Sequence, residues 1–521
     1  MKKYFTSLNI IFAIEALVVI LASLGIIPRE AVLFLTGLVV FYMIFSPVSD
    51  SLYLTIMSIP LFVALPFTET FDSMAGWRIL IAALFLCLFF KQGISINLIK
   101  DSQGKFRLKE NLKHNILEKY LAPLFLLISL FSIFIADYQV LGIKKLLFLI
   151  NAFLLFLVIR NLAKSKEAII KIFQAMSFAA LVVIAVALIQ FLVVLFVPLF
   201  AFWQFWTEKV ISVFYGQNLS DLLSYSNTWF AYYSVNPPTL RLFSVFPDSH
   251  SLAMFLILSV PVFLSLAVYY NQNKRKKIFF WIATGLSLAI IILTGSRGAW
   301  LSILPVAGVA IYLFVKRLDR ALVKKSLITF LIFGILFLAS SFYPPVLYKF
   351  QSWQDSGNAS TTFSFFERAR SISRLSEISN KGRLEIWQAS IESLIKYPIL
   401  GVGLGNYVKV LDEDPSAAKK GASAHNLYLD FANEIGIFGA LVLILMFLYI
   451  LWISWLVFRR SGEPHFKIFG LFFGLYFLWV MAYSLFDVVL LNDKVLLLFL
   501  AECGVLFSIA GLIKIGAPKK D

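Results

Sequence analysis

A chain of 521 residues that is 60% hydrophobic and only 14% charged is not a soluble globular protein. Its formal net charge of +17 fits positive-inside anchoring of membrane loops, and the basic segments lack the interleaved aromatics that stack bases, so nucleic acid is excluded as a partner. Two cysteines, Cys87 and Cys503, both inside apolar runs, imply neither a disulfide framework nor a metal site.

The opening MKKYFTSLNIIFAIEALVVILASLGII has a basic start and an apolar run without a small-x-small cleavage site, and reads as a retained first helix. Apolar runs near the roughly 20 residues that cross a bilayer then recur. They cover 7–27, 31–47, 51–67, 76–91, 120–136, 143–160, 172–198, 251–270, 278–294, 299–316, 326–343, 433–458, 467–486 and 494–513. The expectation is an all-α, polytopic transmembrane helical bundle of about 12–14 spans with a large extracytoplasmic loop. With the amino terminus inside, nearly every short basic loop, from RNLAKSKEAIIK to FRRSGEPHFK, falls on the cytoplasmic side.

That topology divides the chain into N-terminal helices (1–198), an extracytoplasmic segment (199–250), central helices with an outer arginine turn (251–343), a large extracytoplasmic catalytic loop (344–432), and C-terminal helices with a short cytoplasmic tail (433–521). In the second part AFWQFWTEKVISVFY reads as an interfacial helix, with Trp203, Phe205 and Trp206 at the membrane surface. In the fourth, GRLEIWQASIESLIK forms a helix over 382–396 that Tyr397-Pro398 ends. PILGVGLGNYVKVL follows, and its Gly401, Gly403 and Gly405 fit neither a P-loop nor a dinucleotide fingerprint. They read as a hinge that bends the loop between Arg383 and His425.

Polar groups bordering apolar helices are expensive and are the place to seek chemistry. Arg241 in PPTLRLFSVFPDSHSLAMFL, Arg297 in ILTGSRGAWLSILP, Arg383 at the loop-helix start and His425 in GASAHNLYLDFANEIGIFG share the outer face of this topology. Each has a plainer reading: a snorkelling anchor for Arg241 or Arg297, a partner of Glu385 or Glu434 for Arg383, local capping for His425. Together they fit an anion site, since guanidinium donors suit phosphate oxygens and a neutral imidazole can take a proton from an incoming hydroxyl. Glu434 is a candidate to orient His425 or to pair with an arginine. The acidic run Asp412-Glu413-Asp414 reads as a solvated turn, Asn358-Ala359-Ser360 as a polar loop, and His114 and His465 as surface residues of basic loops. His250 and His425 have no HxxxH or cysteine pairing to support a metal.

The succession LTGSRGAWLS, GRLEIWQASIESLIKYPILGVGLGNY and SAHNLYLDFANEIGIFGALVLI, over about 284–456, resembles the bacterial O-antigen ligase and O-antigen polymerase superfamily of lipid-linked glycan transferases. The resemblance implies a GT-C-like membrane glycosyltransferase of the bacterial cytoplasmic (inner) membrane, its site facing the periplasm or cell exterior. The implied donor is a glycan on undecaprenyl diphosphate. The acceptor is lipid A core, another lipid-linked glycan or another hydroxyl, according to whether the chain is a ligase or a polymerase. Membrane lipids are its surroundings, and no cofactor or metal is implied. The transfer would be inverting. By matching positions, Arg241, Arg297 and Arg383 would hold the diphosphate and His425, followed by Asn426, would act on the acceptor. One position departs from the family pattern: His250 stands where an asparagine is frequent. A non-enzymatic lipid or polysaccharide transporter is the alternative outside this class.

Overall fold

In the computed structural model, which describes residues 7–68, 71–92, 116–224, 229–233, 236–316, 320–340, 378–412 and 423–513, long helices dominate. Nine of those described are long and apolar enough to cross a membrane: Leu117–Phe134, Gln139–Leu162, Lys166–Phe196, Ser249–Tyr269, Lys274–Leu293, Arg297–Val315, Leu427–Arg460, Pro464–Tyr483 and Asp493–Leu512. Each coincides with a run read from sequence, because a chain in lipid must satisfy its backbone groups within its own helix. The chain is a multi-pass membrane protein. Large apolar side chains such as Phe34, 80% exposed, and Phe90, 79% exposed, are faces that acyl chains solvate.

The remaining runs are shorter or broken. Ser7–Ser23, Ala31–Phe45 and Leu327–Ala339 are apolar helical stretches of fewer than 18 residues, and 76–91 corresponds to Trp77–Gln92. The crossing expected over 51–67 is not one: its helix, Val48–Met57, stops, a 3-10 turn at Ile59–Leu61 follows, and Ala64–Leu65 pairs antiparallel with Met74–Ala75. Pro60 explains the stop, since it lacks the N–H a helix needs. The all-α expectation holds for the bulk of the structure, with that ladder and one hairpin, Phe230–Tyr233 against Asn236–Leu240, as exceptions.

The chain divides into two units, Met1–Leu84 with Phe173–Glu377, and Phe85–Ile172 with Ile378–Asp521. In the first, Ser249–Tyr269 is buried along almost its whole length and packs on Lys274–Leu293, the arrangement of a helix apolar on every side. Leu199–Phe205 runs through a π turn at Trp206–Ile211 into Ser212–Tyr215, and after a break at Gly216 a second helix covers Gln217–Ser224. In the second unit, Leu427–Arg460 packs on Ala122–Phe134 and Pro464–Tyr483, and Gln139–Leu162 packs on Asp493–Leu512. Leu427–Arg460 starts six residues before the expected 433 and is interrupted at Ile435 and Gly436, where φ reaches +75°. His465, expected on the surface, is buried at the start of its helix with its ring edge on Phe466. Cys503 is buried and Cys87 half-buried. His114, Asn358, Glu413 and Asp414 lie outside the described residues.

Candidate active site

In the first unit the sequence around Arg241 folds into a tight frame. The Arg241 N–H donates to the Trp229 carbonyl at 2.8 Å, continuing the hairpin by one step. Trp229 stacks on Phe243 with centroids 4.2 Å apart, and its indole N–H donates to the Pro247 carbonyl at 2.7 Å. Asp248 then caps the next helix, accepting from the Ser251 N–H at 2.7 Å. These anchors bring two residues nine positions apart into contact. The buried Arg241 guanidinium donates through Nε to the Thr294 carbonyl at 2.8 Å, and its Nη2 lies 3.2 Å from His250 Nε2. His250 Nδ1 is 3.0 Å from Ser296 Oγ.

Ser296 belongs to the turn TGSRG, in which Gly295 takes φ +62°. Its hydroxyl accepts from the Ala299 N–H at 3.4 Å and so caps the helix that Arg297 opens. Arg241 and His250 thus meet directly, and Arg297 stands next to the serine that completes the contact chain. Through two of its nitrogens the guanidinium meets a carbonyl and an imidazole.

In the second unit His425 sits at φ +45°, a strained backbone for a residue with a Cβ. Its neighbours over-determine that conformation. The Ala424 N–H donates to Asp430 Oδ1 at 3.1 Å and the Ala424 carbonyl accepts from the Trp387 indole at 2.9 Å. Asn426 Oδ1 accepts from the N–H groups of Tyr428 and Leu429 at 3.0 and 3.1 Å, starting the helix immediately after the histidine. The Leu427 N–H donates to the Ser484 carbonyl at 2.8 Å, which brings the turn carrying Asp487 alongside. His425 Nδ1 lies 4.0 Å from Asp487 Oδ1. The ring is 43% exposed although Nδ1 is buried, so the exposure lies elsewhere on the imidazole.

Among the described residues Glu434 pairs with neither His425 nor an arginine. Its carboxylate pairs with Lys145 at 2.6 Å, and Asp430 faces the same ammonium at 3.5 Å. The Lys145 ammonium also lies 5.2 Å from the Phe431 ring centroid. Both carboxylates are buried, so the pair fixes the first turns of the His425 helix from inside. Arg383, half-buried on the helix Ile378–Lys396, has no ion-pair partner among the described residues; Glu385 lies 3.9 Å from Lys381 instead. Trp387, which holds Ala424, is one helical turn further along.

The glycine run is seated tightly against neighbouring backbone. Gly401, Gly403 and Gly405 all have positive φ. A Cβ on Gly401 would come within 2.1 Å of the Asn433 carbonyl oxygen, and one on Gly436 within 1.9 Å of the Ile399 carbonyl oxygen. The two backbones therefore cross in contact, joined by Val402 N–H to Asn433 O at 2.7 Å and Ile437 N–H to Pro398 O at 2.9 Å. Asn406, fully buried, exchanges hydrogen bonds with the Tyr138 backbone at 2.8 and 3.2 Å. Tyr407 closes the seat against Ser390, 2.5 Å between hydroxyls, and burial pushes its phenol up to about 12.

Sequence reasoning missed Asp487, Lys145, Asp430 and Ser296. A signal existed for two of them, since Lys145 in GIKKLLFLI and Asp487 in SLFDVVLL are charges embedded in apolar sequence. Among the described residues no three His, Cys, Asp or Glu side chains converge as metal ligands. Compared with known proteins, residues 282–444 match the family model described as O-antigen ligase. The matched region contains Arg297, Arg383, the glycine run, His425 and Glu434. No curated protein matches the chain.

Proposed function

We propose that the chain transfers a glycan from undecaprenyl diphosphate to a hydroxyl acceptor on the outer face of the bacterial cytoplasmic membrane. The observation that carries this reading is His425, held at a strained backbone angle beside Asp487, within a region that matches the O-antigen ligase family. In the proposed step the acceptor oxygen bonds to the anomeric carbon as its proton passes to His425 Nε2. The bond from that carbon to the phosphate oxygen breaks, and its electron pair leaves on the diphosphate. Asp487 steadies the imidazolium through Nδ1, the role of a carboxylate beside a base. Arg241, Arg297 and Arg383 neutralise the departing diphosphate. A single displacement of this kind inverts the anomeric configuration and needs no cofactor.

Ligase and polymerase differ only in the acceptor. Purified protein in lipid nanodiscs, given a defined undecaprenyl-diphosphate glycan and competing acceptors, separates them. One discrete product marks a ligase and a ladder of growing repeats marks a polymerase. Absence of any transferred glycan, with lipid or polysaccharide flux retained when His425 is replaced by Ala, would instead favour a transporter.

A further inference from the structure

The contact chain Arg241, His250, Ser296 is more specific than a charge reservoir for phosphate requires. A guanidinium is a donor only, so the 3.2 Å contact makes His250 Nε2 the acceptor. The ring proton then sits on Nδ1 and points to Ser296 Oγ at 3.0 Å. That same oxygen accepts from the Ala299 N–H, so the ring touches the cap of the helix that Arg297 opens. On its other side, Arg241 is held at Nε by the Thr294 carbonyl, and contact at a second nitrogen fixes the plane of the guanidinium. The two ring nitrogens serve different partners, and a shorter side chain reaches only the nearer one.

We infer that His250 is a positioning residue for the diphosphate arm of the site, its neutral imidazole bridging Arg241 and the Ser296 cap so that Arg241 and Arg297 present a fixed pair of cations to one diphosphate. This rests on the reading of Arg241 and Arg297 as diphosphate ligands. It accounts for a histidine where the family resemblance suggests an asparagine, because the imidazole reaches the guanidinium as well as the serine. The residue acts through Arg241 and does not touch the reacting atoms, so its loss is felt in donor affinity and not in the chemical step.

The test is binding of undecaprenyl diphosphate to the full chain in nanodiscs, together with steady-state transfer. His250→Ala is expected to weaken binding and to raise the donor KM by about tenfold, with kcat within about twofold of wild type. His250→Gln places an acceptor near the former Nε2 and is expected to recover most of the affinity, whereas His250→Asn reaches only towards Ser296 and is expected to remain weak. The Gln and Asn comparison decides the matter if the Ala variant fails to fold. Wild-type binding by His250→Ala, loss of kcat at unchanged KM, or a Gln variant no better than Asn would overturn the inference. Arg241→Ala and Arg297→Ala separate the two levels. If they lose binding while His250→Ala does not, only the positioning role falls; if they bind as wild type, the diphosphate reading itself falls.

Discussion

His425 Nδ1 faces Asp487 Oδ1 at 4.0 Å, although sixty-two positions separate the two residues in sequence. The separation is longer than a hydrogen bond, and it is the kind of contact that tightens when the imidazole becomes charged. Asp487→Asn keeps the shape and removes the charge. It is expected to lower kcat by about 10²-fold while donor binding stays near wild type. An Asp487→Asn protein that transfers at the wild-type rate would remove the carboxylate from the account.

Lys145 and Glu434 are 2.6 Å apart with the carboxylate almost wholly buried, so removing Lys145 strands two buried carboxylates and removing Glu434 leaves the ammonium only the longer contact to Asp430 at 3.5 Å. Lys145→Met and Glu434→Gln are each expected to destabilise by about 3 kcal/mol, and the double substitution by less than the sum. Thermal or denaturant unfolding of the four proteins reads this directly. Strict additivity would mean that the pair does not hold the His425 helix.

Backbone crossing at Gly401 and Gly436 leaves no volume for a methyl group, and both residues use positive φ. Either substitution to Ala is expected to destabilise by more than about 2 kcal/mol through overlap and backbone strain together. The unfolding midpoint checks it, with Gly285→Ala, where a Cβ meets nothing within 4 Å, as the comparison. A loss at Gly401 no larger than that of Gly285→Ala would contradict the crossing.

Tyr407 is held neutral by burial, its phenol raised to about 12 from 10.0. The unfolded chain therefore loses this proton first as pH rises. The phenol's contribution is complete below about pH 10 and is lost as pH climbs towards the folded value. Alkaline unfolding of the wild type should steepen in that window, and Tyr407→Phe should flatten the slope although it removes the contact to Ser390. Identical alkaline slopes for the two proteins would contradict the assignment.

Long apolar runs were legible in sequence because the bilayer fixes both helix length and hydropathy. The run at 51–67 misled because apolar composition alone does not distinguish a crossing from Pro60-broken, buried backbone. The start of the Leu427–Arg460 helix was hidden by its polar residues, since Asp430, read as part of the loop, belongs to a buried ion-pair network with Lys145 and Glu434. His425 was legible as a candidate from one polar group beside an apolar helix. Its neighbour Asp487 was not, because their contact depends on Leu427 meeting Ser484, a tertiary fact. Gly401, Gly403 and Gly405 announced a special backbone, but what they pack against lies at Asn433 and in the Ala136–Leu141 turn, which no local pattern could supply.

Single-turnover transfer by the purified chain is the most direct measurement, with a defined undecaprenyl-diphosphate glycan and a hydroxyl acceptor, comparing wild type with His425→Ala and measuring donor binding alongside. His425→Ala is expected to bind donor as wild type does and to transfer at least about 10²-fold more slowly. Transfer at the wild-type rate by His425→Ala, or a loss of transfer matched by an equal loss of donor binding, would contradict the assignment of His425 as the base.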